Sequence, residues 1–159
     1  MVPPILRLSE LLKNQHLTLA VAESCTGGLL GGSVTSAAGS SSYFRGGIIA
    51  YDNGVKRDIL GVSADILERC GAVSAPVVEA MAVGAAKLFG CDCAMSVSGI
   101  AGPGGGTAEK PAGLVFAGVF RRGEALSRRF VFNGDREAVR GQSVAAAVEF
   151  LVEALEEVM

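Results

Sequence analysis

Three segments made of glycine and small polar residues each follow directly after a short apolar run, and this placement constrains the fold more than any other feature. The segments span residues 22–28, 51–56 and 98–107. The apolar runs predict strands over residues 17–22, 46–51 and 93–98. Because the carboxyl ends of parallel strands converge on the ligand crevice of an open α/β sheet, we expect the three segments to lie at one edge.

Hydrophobic spacing and capping residues predict helices between these strands. The turn after the second strand is predicted at Asp52-Asn53-Gly54. Ser63 is a suitable N-cap for a later helix, and Gly71 is a suitable stop for it. The first four predicted helices span residues 5–13, 29–37, 55–60 and 64–70.

The second half of the chain adds a hairpin and two longer helices. Residues 114–120 and 125–132 flank Arg121-Arg122-Gly123-Glu124, which predicts a hairpin. Ser74 precedes a helix whose buried stripe is predicted to contain Val77, Met81, Gly84 and Leu88. Asp135 precedes the last helix, whose predicted stripe contains Val144, Val148, Leu151, Leu155 and Val158. The pattern predicts a three-layer α/β sandwich, in which a mixed, mostly parallel sheet carries helices on both faces.

Composition and charge restrict the class of protein. Hydrophobic residues make up 50% of the chain and charged residues 19%, which excludes a disordered chain and predicts one globular domain over residues 1–159. The net charge is −2, with Lys and Arg spread along the chain, so we expect no nucleic-acid partner. Residues 1–7 lack a secretion signal, and no apolar run is long enough to span a bilayer. We therefore expect a cytoplasmic protein with no membrane partner.

The cysteine and histidine content argues against a metal site. The four cysteines lie in apolar contexts, which predicts reduced, buried thiols: Cys25, Cys70, Cys91 and Cys93. Cys91-Asp92-Cys93 lacks the usual two-residue gap of a zinc site, and His16 is the only histidine. We expect no metal ion.

Ser24 is the candidate nucleophile, because it lies at the predicted turn from the first strand into a helix. The N–H groups of the residues that follow, Thr26, Gly27 and Gly28, are candidates for holding an oxyanion at the start of that helix. An equal alternative is purely structural: Ser24 or Thr26 caps the helix, and the glycines allow close packing.

A nucleophilic serine needs a base, and the sequence offers few. His16 lies before the first strand, away from the predicted strand ends, so a Ser-His-Asp triad is not expected. A buried lysine with a depressed pKa can replace the histidine, and Lys56 is the best placed lysine. The alternatives are that Lys56 is an ordinary solvated lysine and that Cys25 is the nucleophile. Cys25, however, has no histidine placed to activate it.

The glycine-rich loop 99–107 can wrap a phosphate or a ribose with its backbone N–H groups. It contains neither a Gly-Lys-Ser/Thr sequence nor a G-x-G-x-x-G spacing, so it matches no standard nucleotide motif. On its own, the loop predicts only a polar or anionic ligand.

Taken together, the motifs closely resemble those of the CinA C-terminal domain family over essentially the whole chain. The segments that carry the resemblance are Ala22-Glu23-Ser24-Cys25-Thr26-Gly27-Gly28, Ala50-Tyr51-Asp52-Asn53-Gly54-Val55-Lys56, residues 98–107 and Lys110-Pro111-Ala112-Gly113. Some members are the C-terminal half of a longer protein, and this chain resembles the stand-alone form.

The resemblance implies hydrolysis of the carboxamide of nicotinamide mononucleotide, giving nicotinate mononucleotide and ammonia in NAD salvage without metal or cofactor. It implies catalytic roles for Ser24, Lys56 and Tyr51, and a substrate-contacting arginine, for which Arg140 is favoured over Arg136. The remaining binding residues are expected to be Thr26, Gly27, Gly28, Gly102, Gly104, Gly105 and Thr107. The alternative is a catalytically weak nucleotide-binding module linked to competence or DNA damage. A homodimer is also expected, because small apolar helices favour an interface.

Overall fold

A five-stranded sheet forms the centre of the structure, a computed structural model that describes residues 1–157. The strands are β1 Leu19–Glu23, β2 Phe44–Ile49, β3 Cys93–Gly99, β4 Leu114–Arg121 and β5 Glu124–Val131. The helices are α1 Pro4–Asn14, α2 Leu29–Thr35, α3 Asn53–Asp58, α4 Ala64–Cys70, α5 Ala75–Phe89 and α6 Arg136–Glu156.

The sheet is mixed, with the strand order β2-β1-β3-β4-β5. β1 pairs in parallel with both β2 and β3. β4 runs antiparallel to β3 and to β5. Four strands therefore point one way and β4 points the other, which confirms the predicted mixed sheet.

Alternate residues of β1 pack into two different cores, because successive side chains of a strand point to opposite faces. Val21 packs with Leu151 of α6 in a cluster that also contains residues of α1 and α2. Ala20 packs with Val78 and Met81 of α5 on the other face. Helices thus cover both faces, as predicted for a three-layer sandwich.

Two boundaries near the second strand differ from the sequence prediction. β2 ends at Ile49, so Tyr51 lies beyond the strand. Asn53 and Gly54, predicted as part of a turn, form the first residues of α3, because the Asp52 side chain accepts a hydrogen bond from the Gly54 N–H at 2.9 Å and caps the helix. The cap draws the turn residues into the helix.

The predicted stripe on α5 is correct only in part. Val77 and Met81 are fully buried, whereas Leu88 is 51% exposed. The buried face is centred on Val78, Met81 and Ala85, which places Leu88 at its margin near the end of the helix. On α6, Val148, Leu151 and Leu155 are buried and Val144 is half-buried, while Val158 lies outside the described residues.

The burial of the cysteines agrees only in part with the prediction of four buried thiols. Cys25 and Cys93 are buried as predicted, but Cys70 and Cys91 are only half-buried, and all four are free thiols. Among residues 1–157, no helix has the length and apolar character that crossing a bilayer requires.

Candidate active site

The three glycine-rich or small polar segments meet at one edge of the sheet. β1, β2 and β3 are parallel neighbours, so their carboxyl ends point the same way. A cavity of about 190 Å³ opens between these ends. It is lined by Ser24, Cys25, Tyr51, Asn53, Lys56, Ala72, Val73, Ser98, Gly99, Ala101 and Arg136. The crevice predicted from strand direction is therefore present.

Lys56 is buried beside Ser24. Its side chain is among the largest that are fully buried, at 1% exposure, and its Nζ lies 3.2 Å from the Ser24 Oγ. Nζ also donates to the carbonyl oxygen of Ala50 at 2.7 Å and to that of Tyr51 at 3.4 Å. The structure thus brings the predicted serine and lysine within hydrogen-bonding distance.

Burial lowers the pKa of Lys56, because the charged ammonium loses its hydration. The negative charge of Asp52 acts in the opposite direction and raises this pKa. Among residues 1–157, no carboxylate lies within salt-bridge distance of Nζ to hold the proton. Compared with a solvated lysine, the site therefore shifts the equilibrium towards the neutral amine, which is the form able to act as a base.

The surroundings of Nζ satisfy the lysine in both protonation states. An ammonium has three N–H donors, which match the oxygens of Ser24, Ala50 and Tyr51. A neutral amine has two N–H donors for the carbonyl groups and a lone pair that accepts the serine O–H. Proton transfer between the two side chains therefore needs only a rotation of the hydroxyl and no rearrangement of the pocket.

Cys25 lies beside the pair, but its environment disfavours the thiolate. Burial raises the pKa of Cys25 to about 11, although the nearby charge of Arg140 lowers it in part. Since the thiolate is the reactive form, this thiol is a weak nucleophile at neutral pH. The geometry favours Ser24 over Cys25.

Two of the three N–H groups predicted to hold an oxyanion, those of Gly27 and Gly28, already have hydrogen-bond partners within the protein. The Glu23 carboxylate accepts hydrogen bonds from the amides of Gly28, Leu30 and Gly31 at 3.1, 2.9 and 2.9 Å. The Gly27 N–H donates to the carbonyl oxygen of Ser24 at 3.1 Å. The buried acid at the end of β1 therefore occupies the Gly28 N–H and two amides of the first turn of α2.

Thr26 also faces Glu23, and not the cavity. Its hydroxyl donates to Glu23 Oε1 at 2.6 Å, and the residue is fully buried. Thr26 is absent from the lining of the cavity. Its side chain therefore supports the turn that carries Ser24.

The two arginines at the start of α6 occupy different places. Arg140 donates from Nε to the carbonyl oxygen of Cys25 at 3.0 Å and from Nη2 to that of Thr26 at 3.1 Å. Arg136 lines the cavity, with Nη1 donating to the carbonyl oxygen of Gly102 at 2.9 Å. The arginine at the cavity is thus Arg136, whereas Arg140, favoured from the sequence, holds the backbone of the turn.

Most of the glycine-rich loop lies outside the cavity. Gly102 is buried and reaches the site through its bond to Arg136. Gly104, Gly105 and Thr107 are exposed and do not line the cavity. A role for these three residues in binding therefore requires a ligand that extends out of the cavity.

Tyr51 stands at the mouth of the cavity. Its side chain is exposed, and its hydroxyl accepts a hydrogen bond from Arg136 Nη2 at 3.5 Å. Its carbonyl oxygen, and not its ring, contacts Lys56. Tyr51 therefore combines a backbone contact to Lys56 with an exposed side chain that lines the cavity.

Sequence reasoning missed Glu23 and the link between α4 and α5. Ala72 and Val73 of this link line the cavity, and the Ser98 hydroxyl donates to the carbonyl oxygen of Ala72 at 2.8 Å. No local signal marks the link, because it reaches the site through tertiary packing. Glu23 had a signal: it is the one charged residue in the otherwise apolar strand β1.

Within the described part of the chain, no group of three or more His, Cys, Asp or Glu side chains is placed to hold a metal ion. The polar side chains that line the cavity are instead those of Ser24, Tyr51, Asn53, Lys56, Ser98 and Arg136. This set offers a hydroxyl nucleophile, an amine base and a guanidinium for an anionic or carbonyl group.

Comparison with known proteins settles the family. A model of the CinA C-terminal domain matches residues 5–155. The chain belongs to the CinA C-terminal domain family. A crystal structure of competence damage-inducible protein A from Klebsiella pneumoniae superposes with a TM-score of 0.94, at 34% identity, covering 98% of this chain and 97% of that one.

Two curated relatives show how this CinA domain occurs in longer and shorter proteins. A putative competence-damage inducible protein from Moorella thermoacetica is 50% identical over 89% of this chain, which spans only 34% of that protein. The nicotinamide-nucleotide amidohydrolase PncC of Escherichia coli is 47% identical over 91% of this chain, which covers 88% of PncC. The chain thus spans about a third of the first relative and most of the second.

Proposed function

We propose that the protein hydrolyses the carboxamide of nicotinamide mononucleotide to nicotinate mononucleotide and ammonia in NAD salvage. The observation that carries the proposal is the buried Ser24–Lys56 pair, with Nζ 3.2 Å from Oγ, at the strand ends of a CinA domain. The 47% identity to a protein named as a nicotinamide-nucleotide amidohydrolase supports the substrate.

In the first half of the reaction, Ser24 Oγ attacks the carboxamide carbon while its proton passes to the neutral amine of Lys56. The ammonium that forms lies beside the tetrahedral intermediate, where its positive charge stabilises the developing oxyanion. Lys56 then gives the proton to the amide nitrogen, the C–N bond breaks, and ammonia leaves. The product of this half is an ester between Ser24 and the pyridine carboxylate.

In the second half, water attacks the ester carbon and passes one proton to Lys56. The bond between the carbon and Ser24 Oγ breaks, and Lys56 returns the proton to that oxygen. Nicotinate mononucleotide leaves, and the pair is restored to its starting state. Each proton moves between neighbouring groups, and the reaction as proposed uses no metal ion.

The dimensions of the site divide the proposed substrate into two parts. A cavity of about 190 Å³ admits a flat pyridine carboxamide, while the ribose and phosphate extend past the mouth. Arg136 and Tyr51 line the cavity and are exposed, whereas Gly104, Gly105 and Thr107 are exposed and lie outside its lining. We propose that Arg136, Gly104, Gly105 and Thr107 contact this outer part, since a guanidinium and open backbone N–H groups suit phosphate oxygens.

Ammonia release from nicotinamide mononucleotide tests the proposal. Ser24→Ala and Lys56→Met should each lower kcat by about 10²- to 10⁴-fold, because a positioned base or nucleophile contributes that much. The double variant should be scarcely slower than either single variant, since the two side chains act as one unit. Cys25→Ser is the matched control and should keep most of the activity.

Two results of this assay would decide against the proposal. A folded Ser24→Ala protein with near-normal ammonia release would transfer the nucleophile to another group. Tight binding of nicotinamide mononucleotide without any ammonia release would indicate the alternative, a nucleotide-binding module without turnover. Activity that survives EDTA is expected, since the proposed steps use no metal ion.

We also propose a homodimer. Exposed apolar side chains are a common feature of interfaces between copies of a chain. The exposed apolar residues of this chain include Leu6, Leu29 and Ile49. Light scattering at several concentrations measures the mass directly, and a monomer at all of them would overturn the proposal. The cytoplasmic location stays a prediction.

A further inference from the structure

We propose that Glu23 is a positioning residue, whose buried carboxylate holds the turn after β1 so that the Ser24 hydroxyl faces Lys56. Glu23 does not line the cavity and is not among the hydrogen-bond partners of Lys56 Nζ, so it acts through the backbone of this turn. This role rests on one part of the proposed function, namely that Ser24 is a reactive nucleophile.

The carboxylate of Glu23 gathers four donors from the first residues after the nucleophile. Oε1 accepts from the Thr26 hydroxyl at 2.6 Å, the Gly28 N–H at 3.1 Å and the Leu30 N–H at 2.9 Å. Oε2 accepts from the Gly31 N–H at 2.9 Å. An ionised carboxylate accepts only, and these four donors occupy both of its oxygens.

The burial of Glu23 indicates more than helix capping. The residue is 2% exposed, and among residues 1–157 no Lys or Arg forms an ion pair with it. Burying a carboxyl group without an ionic partner carries a desolvation cost that its hydrogen bonds must offset. A serine or threonine N-cap satisfies helix amides without that cost. The carboxylate provides what a hydroxyl does not: one group bonded to Thr26 and Gly28 of the turn and also to the first two amides available in α2 at Leu30 and Gly31.

The main chain of Glu23 fixes the other side of Ser24. The Ser24 N–H donates to the carbonyl oxygen of Val97 at 3.0 Å, and the carbonyl oxygen of Glu23 accepts from the Ala50 N–H at 2.6 Å. Ala50 in turn supplies the carbonyl oxygen that accepts from Lys56 Nζ. Hydrogen bonds within the sheet therefore fix the backbone that leads into Ser24. The Glu23 side chain fixes the backbone that follows it.

Arg140 binds the same turn as a hydrogen-bond donor, whereas Glu23 binds it as an acceptor. It donates to the carbonyl oxygens of Cys25 and Thr26, whereas Glu23 accepts from the donors that follow. Acceptors and donors of one short turn are thus bound by two different side chains from two different elements, β1 and α6. This arrangement leaves the peptide planes after Ser24 little freedom to rotate.

The test measures the reactivity of Ser24 independently of any substrate. The rate at which an arylsulfonyl fluoride modifies Ser24 is followed by mass spectrometry for the wild-type protein and for Glu23→Gln. Glutamine has nearly the same shape as glutamate, but its NH₂ group replaces one of the two carboxylate oxygens and cannot accept the hydrogen bonds made to that oxygen. We expect modification about 10- to 100-fold slower and kcat for ammonia release reduced similarly, with KM changed less than about threefold.

A matched control separates positioning from stability. Ser63 caps α4 by accepting from the amides of Asp65 and Ile66, far from the turn in sequence. Ser63→Ala should lower the melting temperature, as loss of a cap does, without slowing the modification of Ser24. Should Glu23→Gln fail to fold, Thr26→Val removes one of the four donors and is expected to slow modification about three- to tenfold.

A folded Glu23→Gln protein that is modified at the wild-type rate would overturn the role of Glu23. The same holds for Thr26→Val at the wild-type rate if the glutamine variant is unfolded. A wild-type protein that releases no ammonia but is modified faster than Glu23→Gln would overturn the proposed substrate and still support the positioning. The two proposals therefore fail in different measurements.

Discussion

The protonation state of Lys56 sets the pH range of the proposed reaction. Burial lowers the pKa of this lysine, and only its neutral form can take the proton of Ser24. Activity should therefore rise with pH as Lys56 loses its proton and level off above its pKa. The kcat/KM profile of the wild-type protein between pH 5 and 10, measured by ammonia release, is expected to show this limb.

Asp52→Asn tests whether the limb belongs to Lys56. The negative charge of Asp52 raises the pKa of Lys56, so removing this charge should move the limb to lower pH. Asparagine can still accept from the Gly54 N–H, which keeps the cap of α3. A profile unchanged in position, or moved to higher pH, would show that another group titrates.

Arg136 and Arg140 should respond differently to the same substitution. Arg136→Met removes a guanidinium that lines the cavity, and KM should rise about tenfold while kcat changes little. Arg140→Met frees two carbonyl groups of the turn, and kcat should fall about 10- to 100-fold with a smaller change in KM. Steady-state kinetics of both variants makes the comparison, and the reversed pattern would return the substrate contact to Arg140.

Single residues differed in how well the sequence predicted them. Strand direction and the lack of a usable histidine predict that Ser24 and Lys56 lie together. In the structure, Lys56 Nζ is 3.2 Å from Ser24 Oγ. The choice between Arg136 and Arg140 depends on which turn of α6 faces the cavity, and this follows from tertiary packing. Glu23 was missed because free amides at the start of a helix can bind either an external ligand or a carboxylate of the protein, and the sequence pattern does not distinguish the two.

At the scale of elements, α5 depends on one close approach between helix and loop. A Cβ built on Gly84 would lie 1.9 Å from the Leu60 carbonyl oxygen, so the backbone occupies the space of a side chain. Gly84→Ala should destabilise the protein by about 1 to 3 kcal/mol or more, as overpacking does. Urea unfolding measures the difference.

Gly141 in α6 is the control for this substitution. A Cβ at Gly141 meets nothing within 4 Å, and glycine costs roughly 0.5 to 1 kcal/mol relative to alanine inside a helix. Gly141→Ala should therefore stabilise the protein by about that amount. Equal destabilisation by both substitutions would mean that the approach of Leu60 is not the cause.

The starts of α4 and α6 were predicted correctly, because their caps have local chemistry. Ser63 accepts from the amides that follow it, and Asp135 accepts from the Ala138 N–H at 2.9 Å. β2, in contrast, begins two residues earlier than the predicted 46–51, at Phe44. Its start is set by pairing of Phe44 and Gly46 with β1, a partner that the sequence of β2 does not reveal.

At the scale of the molecule, the parallel strands form the candidate site, and the antiparallel strands extend the sheet against which the helices pack. The cavity forms only where the parallel strands β1, β2 and β3 end together. The antiparallel hairpin of β4 and β5 extends the sheet beyond β3 and provides more surface for α5 and α6. Alternating elements predicted this arrangement, whereas the strand order requires long-range pairing.

The buried lysine should also leave a signature in the stability of the whole molecule. Its pKa in the folded state lies below the ordinary value of 10.5, so between these two values the unfolded chain binds the extra proton. The free energy of unfolding contributed by Lys56 must then rise with pH across this window, by at most about 1.4 kcal/mol per pH unit for one proton. Below the folded pKa both states are protonated, and the contribution is constant.

Lys56→Met removes this titration and serves as the reference. The free energy of unfolding of the wild-type protein minus that of Lys56→Met should be lowest at acidic pH and should increase as the pH approaches 10. Urea unfolding of both proteins at intervals of one pH unit measures this difference, and contributions from all other groups cancel. Two parallel curves would mean that Lys56 keeps an ordinary pKa in the folded protein. It would then be charged at neutral pH, and the base of the proposed reaction would have to be another group.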